Sequence, residues 1–191
     1  MIRIGIVGDI GSGKSYVAKK FGYPVFNADL VVSNLYKTNI TCFKKLNKIY
    51  PNTIISFPIT KKEITNCILK SKSSLKKIIN IIHPMVRKKM NKFINKNKNK
   101  KIIVLDIPLL LENKINKKND IIVFVDSKKN KILKKLKKRK NFNIKIFNIL
   151  KKTQFSNNFK KDKANFIIKN NFKKKKIKEK INLLKEKIFN K

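Results

Sequence analysis

The chain has 191 residues, and its 50 Lys and Arg against 10 Asp and Glu give a formal net charge of +40. This length suits one domain of ordinary size, and 41% hydrophobic residues indicate a globular protein with a buried core. Cys42 and Cys67 have no metal-ligand spacing, which excludes a zinc site made of cysteine pairs and predicts reduced thiols. With no apolar run long enough for a membrane span and no room for a signal peptide before the first apolar segment, we expect a soluble, cytoplasmic protein.

The positive charge has two interpretations. A field of this strength favours polyanion binding, and an RNA-binding protein or NTPase is one hypothesis for the chain. However, all but three of the cations are lysine, and lysine is spread along the whole chain together with abundant Asn, Ile and Phe. These four residue types share AT-rich codons, so the composition of an AT-rich genome explains the charge without a specific nucleic-acid partner.

Short, nearly continuous apolar runs predict five strands. Such runs are typical of parallel strands that are covered on both faces. Helical patterns separate them, which favours an α/β fold with a five-stranded parallel sheet in a three-layer arrangement. The predicted strands are residues 2–7, 24–27, 101–106, 121–126 and 166–168.

The first strand leads into a glycine-rich loop. Residues 8–15 spell GDIGSGKS, which fits the phosphate-binding pattern G-x-x-x-x-G-K-[ST] at every fixed position. A helical pattern follows, so the backbone N–H groups at the start of the helix are expected to face the phosphates of a nucleotide. The lysine is expected to reach the same phosphates, and the serine hydroxyl is expected to contact Mg²⁺. A chance glycine-rich turn is the alternative. The predicted nucleotide-binding residues are Gly8, Gly11, Ser12, Gly13, Lys14, Ser15 and Tyr16.

Carboxylates follow two of the predicted strands. Asp29 comes after the second strand, where it can accept or orient the proton of an attacking hydroxyl, although a helix-capping role is the alternative. Asp106 ends the third strand, as a Mg²⁺-contacting acid would, and capping of a helix or loop competes equally. We therefore expect Asp29 to act in catalysis, and Ser15 and Asp106 to contact Mg²⁺.

Two long segments separate consecutive predicted strands. Residues 31–98 hold several amphipathic segments and predict a helical insertion over the carboxyl edge of the sheet. Residues 137–163 are polar and predict a short lid, with Arg139 on the ATP phosphates. After the lid, the core is completed by a helix whose apolar positions 177, 181, 184 and 188 form one stripe. The predicted core is residues 1–30, 99–136 and 164–191.

Beyond the P-loop, the order of motifs resembles that of the dephospho-CoA kinase family. The family's loop G-G-I-G-S-G-K-S differs from residues 8–15 only at Asp9, and its D-A-D, H-P-x-V-R, P-L-L-x-E and A-D-x-x-I-x-N motifs follow in order. Three departures stand out: Tyr16 replaces a threonine, Asn27 replaces the first aspartate of D-A-D, and Lys135 and Lys140 occupy lid positions where the family has Arg and Asp. The matching segments are residues 27–29, 83–87, 108–112 and 164–170.

This resemblance implies a P-loop kinase that uses ATP and Mg²⁺ to phosphorylate the ribose 3′-hydroxyl of dephospho-CoA. It implies that Lys14, Asp29 and Arg139 act in catalysis, and that Asp29, His83 and Arg87 bind the acceptor. His83 precedes Pro84, which suits the first position of a helix, so a local capping role for His83 is the alternative. The competing functions are another small-metabolite or nucleoside-monophosphate kinase and the RNA-binding NTPase.

Overall fold

The structure is a computed structural model that describes residues 1–71, 73–139 and 142–189. Five parallel strands form one sheet in the order β2-β3-β1-β4-β5, which confirms the predicted α/β fold with a five-stranded parallel sheet. Each predicted strand is present, with ends that shift by no more than one residue. The strands are β1 (Ile2–Gly8), β2 (Val25–Asn27), β3 (Ile102–Asp106), β4 (Ile121–Asp126) and β5 (Phe166–Lys169).

Helices fill the connections between these strands. Helix α1 begins at Lys14, inside the P-loop pattern itself, and α6 begins shortly after β4. The helices are α1 (Lys14–Lys20), α2 (Ala28–Thr38), α3 (Ile40–Ile49), α4 (Lys61–Lys70), α5 (Ser74–Lys96), α6 (Lys129–Lys137), α7 (Ile144–Lys152), α8 (Asn157–Asp162) and α9 (Lys174–Phe189). None of those described is long and apolar enough to cross a bilayer.

The sheet is covered on both faces, which explains its continuous apolar strands. On one face α1 and α9 pack on β1, β3 and β4, with Val17, Phe21 and Ile181 fully buried. The apolar stripe predicted for the last helix is confirmed, since Ile177, Ile181, Leu184 and Ile188 are all buried. On the other face the second half of α5 covers Phe26, Ile103 and Leu105, where Phe93 lies 5.6 Å from the Phe26 ring.

Between β2 and β3 the chain forms a separate helical cluster from α2, α3, α4 and the first half of α5. Its centre contains Leu46, Ile54, Cys42 and Cys67, all without solvent exposure. The helices start on local caps: the Asn39 side chain accepts a hydrogen bond from Cys42 N at 2.8 Å, and Thr60 with Glu63 forms a capping box on α4. This cluster rests on the sheet through α5.

The prediction that a helix starts at Pro84 is wrong. Pro84 lies inside α5, which runs from Ser74 to Lys96. A proline in a helix interior loses one hydrogen bond, but α5 is held by packing on both sides of that point. Ile78 and Ile82 are buried in the helical cluster, and Phe93 packs on the sheet. Tertiary packing therefore overrides the local preference of proline for a helix start.

Candidate active site

The carboxyl ends of four parallel strands meet at one edge of the sheet. β1 ends at Gly8, β2 at Asn27, β3 at Asp106 and β4 at Asp126. Asn27 lies directly beside Asp106 in the strand register, and β3 is also the neighbour of β1. The sheet order thus places the P-loop next to the loops that follow β2 and β3, at the edge where open α/β sheets bind ligands.

The P-loop takes a conformation that requires glycine at two points. Gly13 has φ +92°, and a Cβ there would lie 2.5 Å from Asn170 Nδ2. Gly8 has φ +147°, and a Cβ there would lie 2.7 Å from the Val125 carbonyl oxygen. The loop is held from behind, because the Ser12 carbonyl accepts hydrogen bonds from Asn170 Nδ2 at 2.8 Å and from Ser127 Oγ at 2.9 Å. A loop fixed in this way keeps its backbone N–H groups arranged for an anion.

Lys14 is buried beneath the loop. Its ammonium donates to the carbonyl oxygens of Asp9 at 2.8 Å and Gly8 at 3.2 Å. Burial lowers the pKa of Lys14, while the negative charge of Asp106 opposes that effect. The ammonium is therefore held in the loop by two carbonyl dipoles, within electrostatic reach of a carboxylate across the cleft.

Asn27 connects the P-loop serine with the acid at the end of β3. Its Nδ2 donates to the Asp106 carboxylate and lies 3.5 Å from Ser15 Oγ. Its Oδ1 accepts from Leu30 N at 2.7 Å, which caps α2 and fixes the orientation of the amide. One amide thus holds Ser15 and Asp106 near each other, although the sequence identified Asn27 only as a departure from an acidic motif.

Asp29 lies in the first turn of α2 and faces the same cleft. Its side chain is reached by solvent through the cleft, yet protein surrounds it on most sides, and this partial desolvation raises its pKa. The nearby Asp106 carboxylate raises that pKa further, whereas Lys14 and Arg139 lower it. Since Asn27 provides the cap of α2, the capping alternative for Asp29 has no support in the geometry.

Another part of the cleft lining comes from α6 and from the end of α7. The cavity has a volume of about 580 Å³ and is bordered by the P-loop, Asp29, Asp106, Arg139 and Gln154. Of the sequence-predicted site residues, Gly11, Gly13, Lys14, Ser15, Tyr16, Asp29, Asp106 and Arg139 line it, whereas Gly8 and Ser12 are not among its lining residues. Lys135 also lines it, and Lys140 lies outside the described residues.

A buried ion pair joins α8 to the loop after β3. Lys160 Nζ lies 3.0 Å from Glu112 Oε1, and these side chains are 1% and 8% exposed. The same carboxylate oxygen accepts a hydrogen bond from Phe155 N at 2.9 Å. Gln154 Nε2 reaches the Pro108 carbonyl at 3.4 Å. These contacts hold the lid-side wall in place.

His83 and Arg87 lie one turn apart on α5, away from this cavity. Neither is among its lining residues; His83 is half-buried and Arg87 is exposed. Burial lowers the pKa of His83, and the positive charge of Arg87 adds to that effect. His83 is therefore neutral near pH 7, and the role of this pair in acceptor binding stays a prediction.

Several neighbours of the cavity or of the P-loop received no site role from the sequence patterns. Phe172 lines the cavity with φ +66°, and Lys135 Nζ lies 4.2 Å from the centre of its ring. Asn27 and Lys151 act through contacts with residues that are remote in the chain. Only Asn27 carried a signal that could have identified it, namely its place beside Asp29 after a strand.

Comparison with known proteins agrees with this geometry. The dephospho-CoA kinase family profile matches residues 2–176. A dephospho-CoA kinase from Wolbachia sp. subsp. Brugia malayi is 35% identical over 127 residues, which are 64% of this chain and 65% of that protein. The chain thus matches just under two thirds of the length of its first curated relatives.

Two solved structures share the fold over nearly the whole chain. A Thermus thermophilus protein has a TM-score of 0.77 with 21% identity and covers 97% of both chains. A dephospho-CoA kinase from Campylobacter jejuni has a TM-score of 0.65 with 21% identity and covers 97% of this chain and 96% of its own. The family profile extends over the P-loop, the two acids and Arg139 that line the cavity, and the chain belongs to the dephospho-CoA kinase family.

Proposed function

We propose that this protein transfers the γ-phosphoryl group of ATP to the ribose 3′-hydroxyl of dephospho-CoA, giving coenzyme A and ADP. One observation carries the proposal: a fixed P-loop with the Lys14 ammonium shares a single cavity with Asp29, Asp106 and Arg139. Phosphoryl transfer requires mainly positioning and charge neutralisation, and this cavity is lined by both cations and carboxylates. Family membership supports dephospho-CoA as the acceptor.

The residues present fit ATP with Mg²⁺. The backbone of residues 11–15 would hold the β-phosphate, and Lys14 would neutralise charge between the β- and γ-phosphates. Mg²⁺ binds through one or two carboxylates together with phosphate oxygens and water. Ser15 Oγ and the Asp106 carboxylate, held by Asn27, are suitable oxygen donors for it. The bound cation would reduce the charge on the phosphates.

Asp29 is our candidate for the residue that receives the acceptor proton. A carboxylate that accepts this proton must be ionised before the step, and a raised pKa brings its basicity closer to that of a useful base. Arg139 lines the same cavity, where a guanidinium can neutralise the transferring group. Lys135 lies on the same wall as a second positive charge.

We further propose that the chain has three parts with different functions. Residues 1–30, 99–136 and 164–191 form the nucleotide-binding core, residues 31–98 the acceptor-binding insertion and residues 137–163 the lid. The separate apolar cluster of the first part of the insertion supports this division, and α5 joins the insertion to the core. His83 and Arg87 on α5 are the proposed acceptor contacts, and the buried free thiols of Cys42 and Cys67 support a cytoplasmic location.

The deciding experiment is a phosphorylation assay with a panel of acceptors. The purified protein is incubated with ATP, Mg²⁺ and either dephospho-CoA, a nucleoside monophosphate or shikimate, and products are identified by mass. We expect a single phosphate added to dephospho-CoA, no product with EDTA, and no product at the 3′-position when a 3′-deoxy analogue is used. Turnover of another acceptor in preference to dephospho-CoA would contradict the proposal.

A further inference from the structure

The P-loop of this chain contains a carboxylate at its second position. Asp9 is 7% exposed, and its Oδ1 accepts a hydrogen bond from Ile10 N at 2.7 Å. Its carbonyl oxygen is one of the two acceptors that hold the Lys14 ammonium. A negative side chain is unfavourable in a loop that binds phosphates, because two like charges repel each other strongly in a partly buried site. The family pattern has glycine here.

A cation from the lid segment meets this carboxylate. Lys151 Nζ forms an ion pair with Asp9 Oδ1, and the Lys151 side chain remains 39% exposed while that of Asp9 is 10% exposed. Lys151 lies in the last turn of α7, directly after Leu150, which lines the nucleotide cavity. The pair therefore joins the P-loop to the lid-side wall at the edge of the cavity.

The charge of Asp9 reaches the catalytic centre. It is among the carboxylates whose field raises the pKa of Lys14, against the dominant effect of burial. A charge that acts on the Lys14 ammonium also acts on the phosphates that this ammonium would bind. Without a compensating cation, Asp9 would weaken phosphate binding in two ways, by repelling the anion and by competing for the lysine.

We propose that Lys151 is a positioning residue that neutralises Asp9 and thereby keeps the P-loop able to bind a nucleoside triphosphate. This inference rests on the proposed ATP site and deepens it by assigning a role to a residue pair that the family pattern does not contain. Lys151 acts through Asp9 and not by contact with the phosphates. Its contribution therefore depends on whether Asp9 is charged.

A double-mutant cycle tests that dependence. The wild type, Asp9→Asn, Lys151→Met and the double variant are compared by calorimetric ATP binding and by steady-state kinetics. Lys152→Met is the matched control, since Lys152 is exposed in the same turn and its removal changes the net charge equally. Thermal unfolding of each variant confirms that the measured protein is folded.

We expect Lys151→Met to raise the Kd and KM for ATP about tenfold, with kcat at saturating ATP within about twofold. In the Asp9→Asn background the same substitution should change Kd less than about twofold, and Lys152→Met should change it equally little. If Lys151→Met weakens ATP binding equally in both backgrounds, Lys151 is a direct phosphate ligand and the inference is overturned. If the substitution lowers thermal stability and leaves the Kd for ATP unchanged, the ion pair is purely structural and the inference is also overturned.

The wild-type result separates this inference from the function on which it rests. If the wild type binds ATP and the losses of ATP affinity in the two single variants are additive, the inference fails while the kinase proposal stands. If the wild type binds no ATP, the nucleotide site itself is refuted and the inference with it. Binding of ATP without turnover of dephospho-CoA would remove the proposed acceptor and leave the cycle interpretable through Kd alone.

Discussion

Replacement of Glu63 by glutamine should destabilise the helical insertion, because one carboxylate organises the whole loop before α4. Glu63 Oε1 accepts from Ile55 N at 2.8 Å and from Ser56 N at 2.9 Å. Its Oε2 accepts from Thr60 N, Thr60 Oγ1 and Ser56 Oγ, each at 2.7 Å. A glutamine keeps one acceptor oxygen, and its N–H₂ group must face either Thr60 N or the pair Ile55 N and Ser56 N. In both orientations, backbone N–H donors lose their acceptor.

The magnitude follows from the pKa of this carboxyl. Burial alone would raise it, but the hydrogen bonds from Thr60 and Ser56 outweigh burial and lower the pKa of Glu63 from 4.5 to about 2. At about 1.36 kcal/mol per pKa unit, this difference corresponds to about 3 kcal/mol of stability. Glu63 lies in the first turn of α4 and lines an open groove at the surface, so solvent screening reduces the expected loss for Glu63→Gln to about 1–3 kcal/mol.

The pH dependence identifies the cause. A carboxyl with a lowered folded-state pKa contributes stability fully above its unfolded pKa of 4.5 and loses it as the pH falls toward about 2. Urea denaturation of wild type and Glu63→Gln from pH 7 to pH 3 should therefore show a difference that is constant above about pH 5 and narrows below 4.5. Glu179→Gln, on the exposed face of α9, is the control and should match the wild type. A difference independent of pH would refute the electrostatic reasoning.

Four further predictions concern the site and the charge. Lys14→Ala should remain folded and lose on the order of a thousandfold in kcat, as checked by steady-state kinetics with dephospho-CoA. Asp29→Asn should keep the Kd for ATP and abolish the acidic limb of the pH–rate profile, which in the wild type should lie above pH 3.8 because the pKa of Asp29 is raised. Glu112→Gln should lower thermal stability by about 3–5 kcal/mol, since it leaves the Lys160 ammonium buried without its partner. RNA and DNA should bind by filter assay only at low salt and without sequence preference, and tight selective binding at physiological salt would contradict the compositional origin of the +40 charge.

The strands and the P-loop could be predicted because their signals are local. The runs that became β3 and β4 are apolar at nearly every position, a pattern that is typical of strands buried on both faces. The P-loop needs glycine wherever its backbone meets Asn170 or Val125, so its spacing is visible in the sequence. Local chemistry determines these elements, and tertiary context does not change them.

Features that depend on contacts across the chain could not be predicted in the same way. Pro84 is locally typical of a helix start, but packing of Ile82 and Phe93 carries α5 through it. Lys151 was one lysine among many, and its pairing with Asp9 joins residues that are remote in sequence. Asn27 differed from the family's acidic motif, and only the geometry explains how its amide holds Ser15 and Asp106.

The rare acids carry more information in this chain than the abundant lysines. Lysine side chains are usually exposed to solvent, so the position of one lysine among many does not by itself indicate a function. Each acid, by contrast, is surrounded by many cations, so the lysine with which it pairs shows which two segments of the chain are joined. Asp9, Glu112 and Asp126 pair with Lys151, Lys160 and Lys161, which all lie between β4 and β5. Asp29 and Asp106 have no lysine partner among these ion pairs and line the cavity together with Lys14. The acids that bind lysines thus tie the segment before β5 to the rest of the chain, and the two that face the cavity are those for which we propose roles toward the proton and the metal.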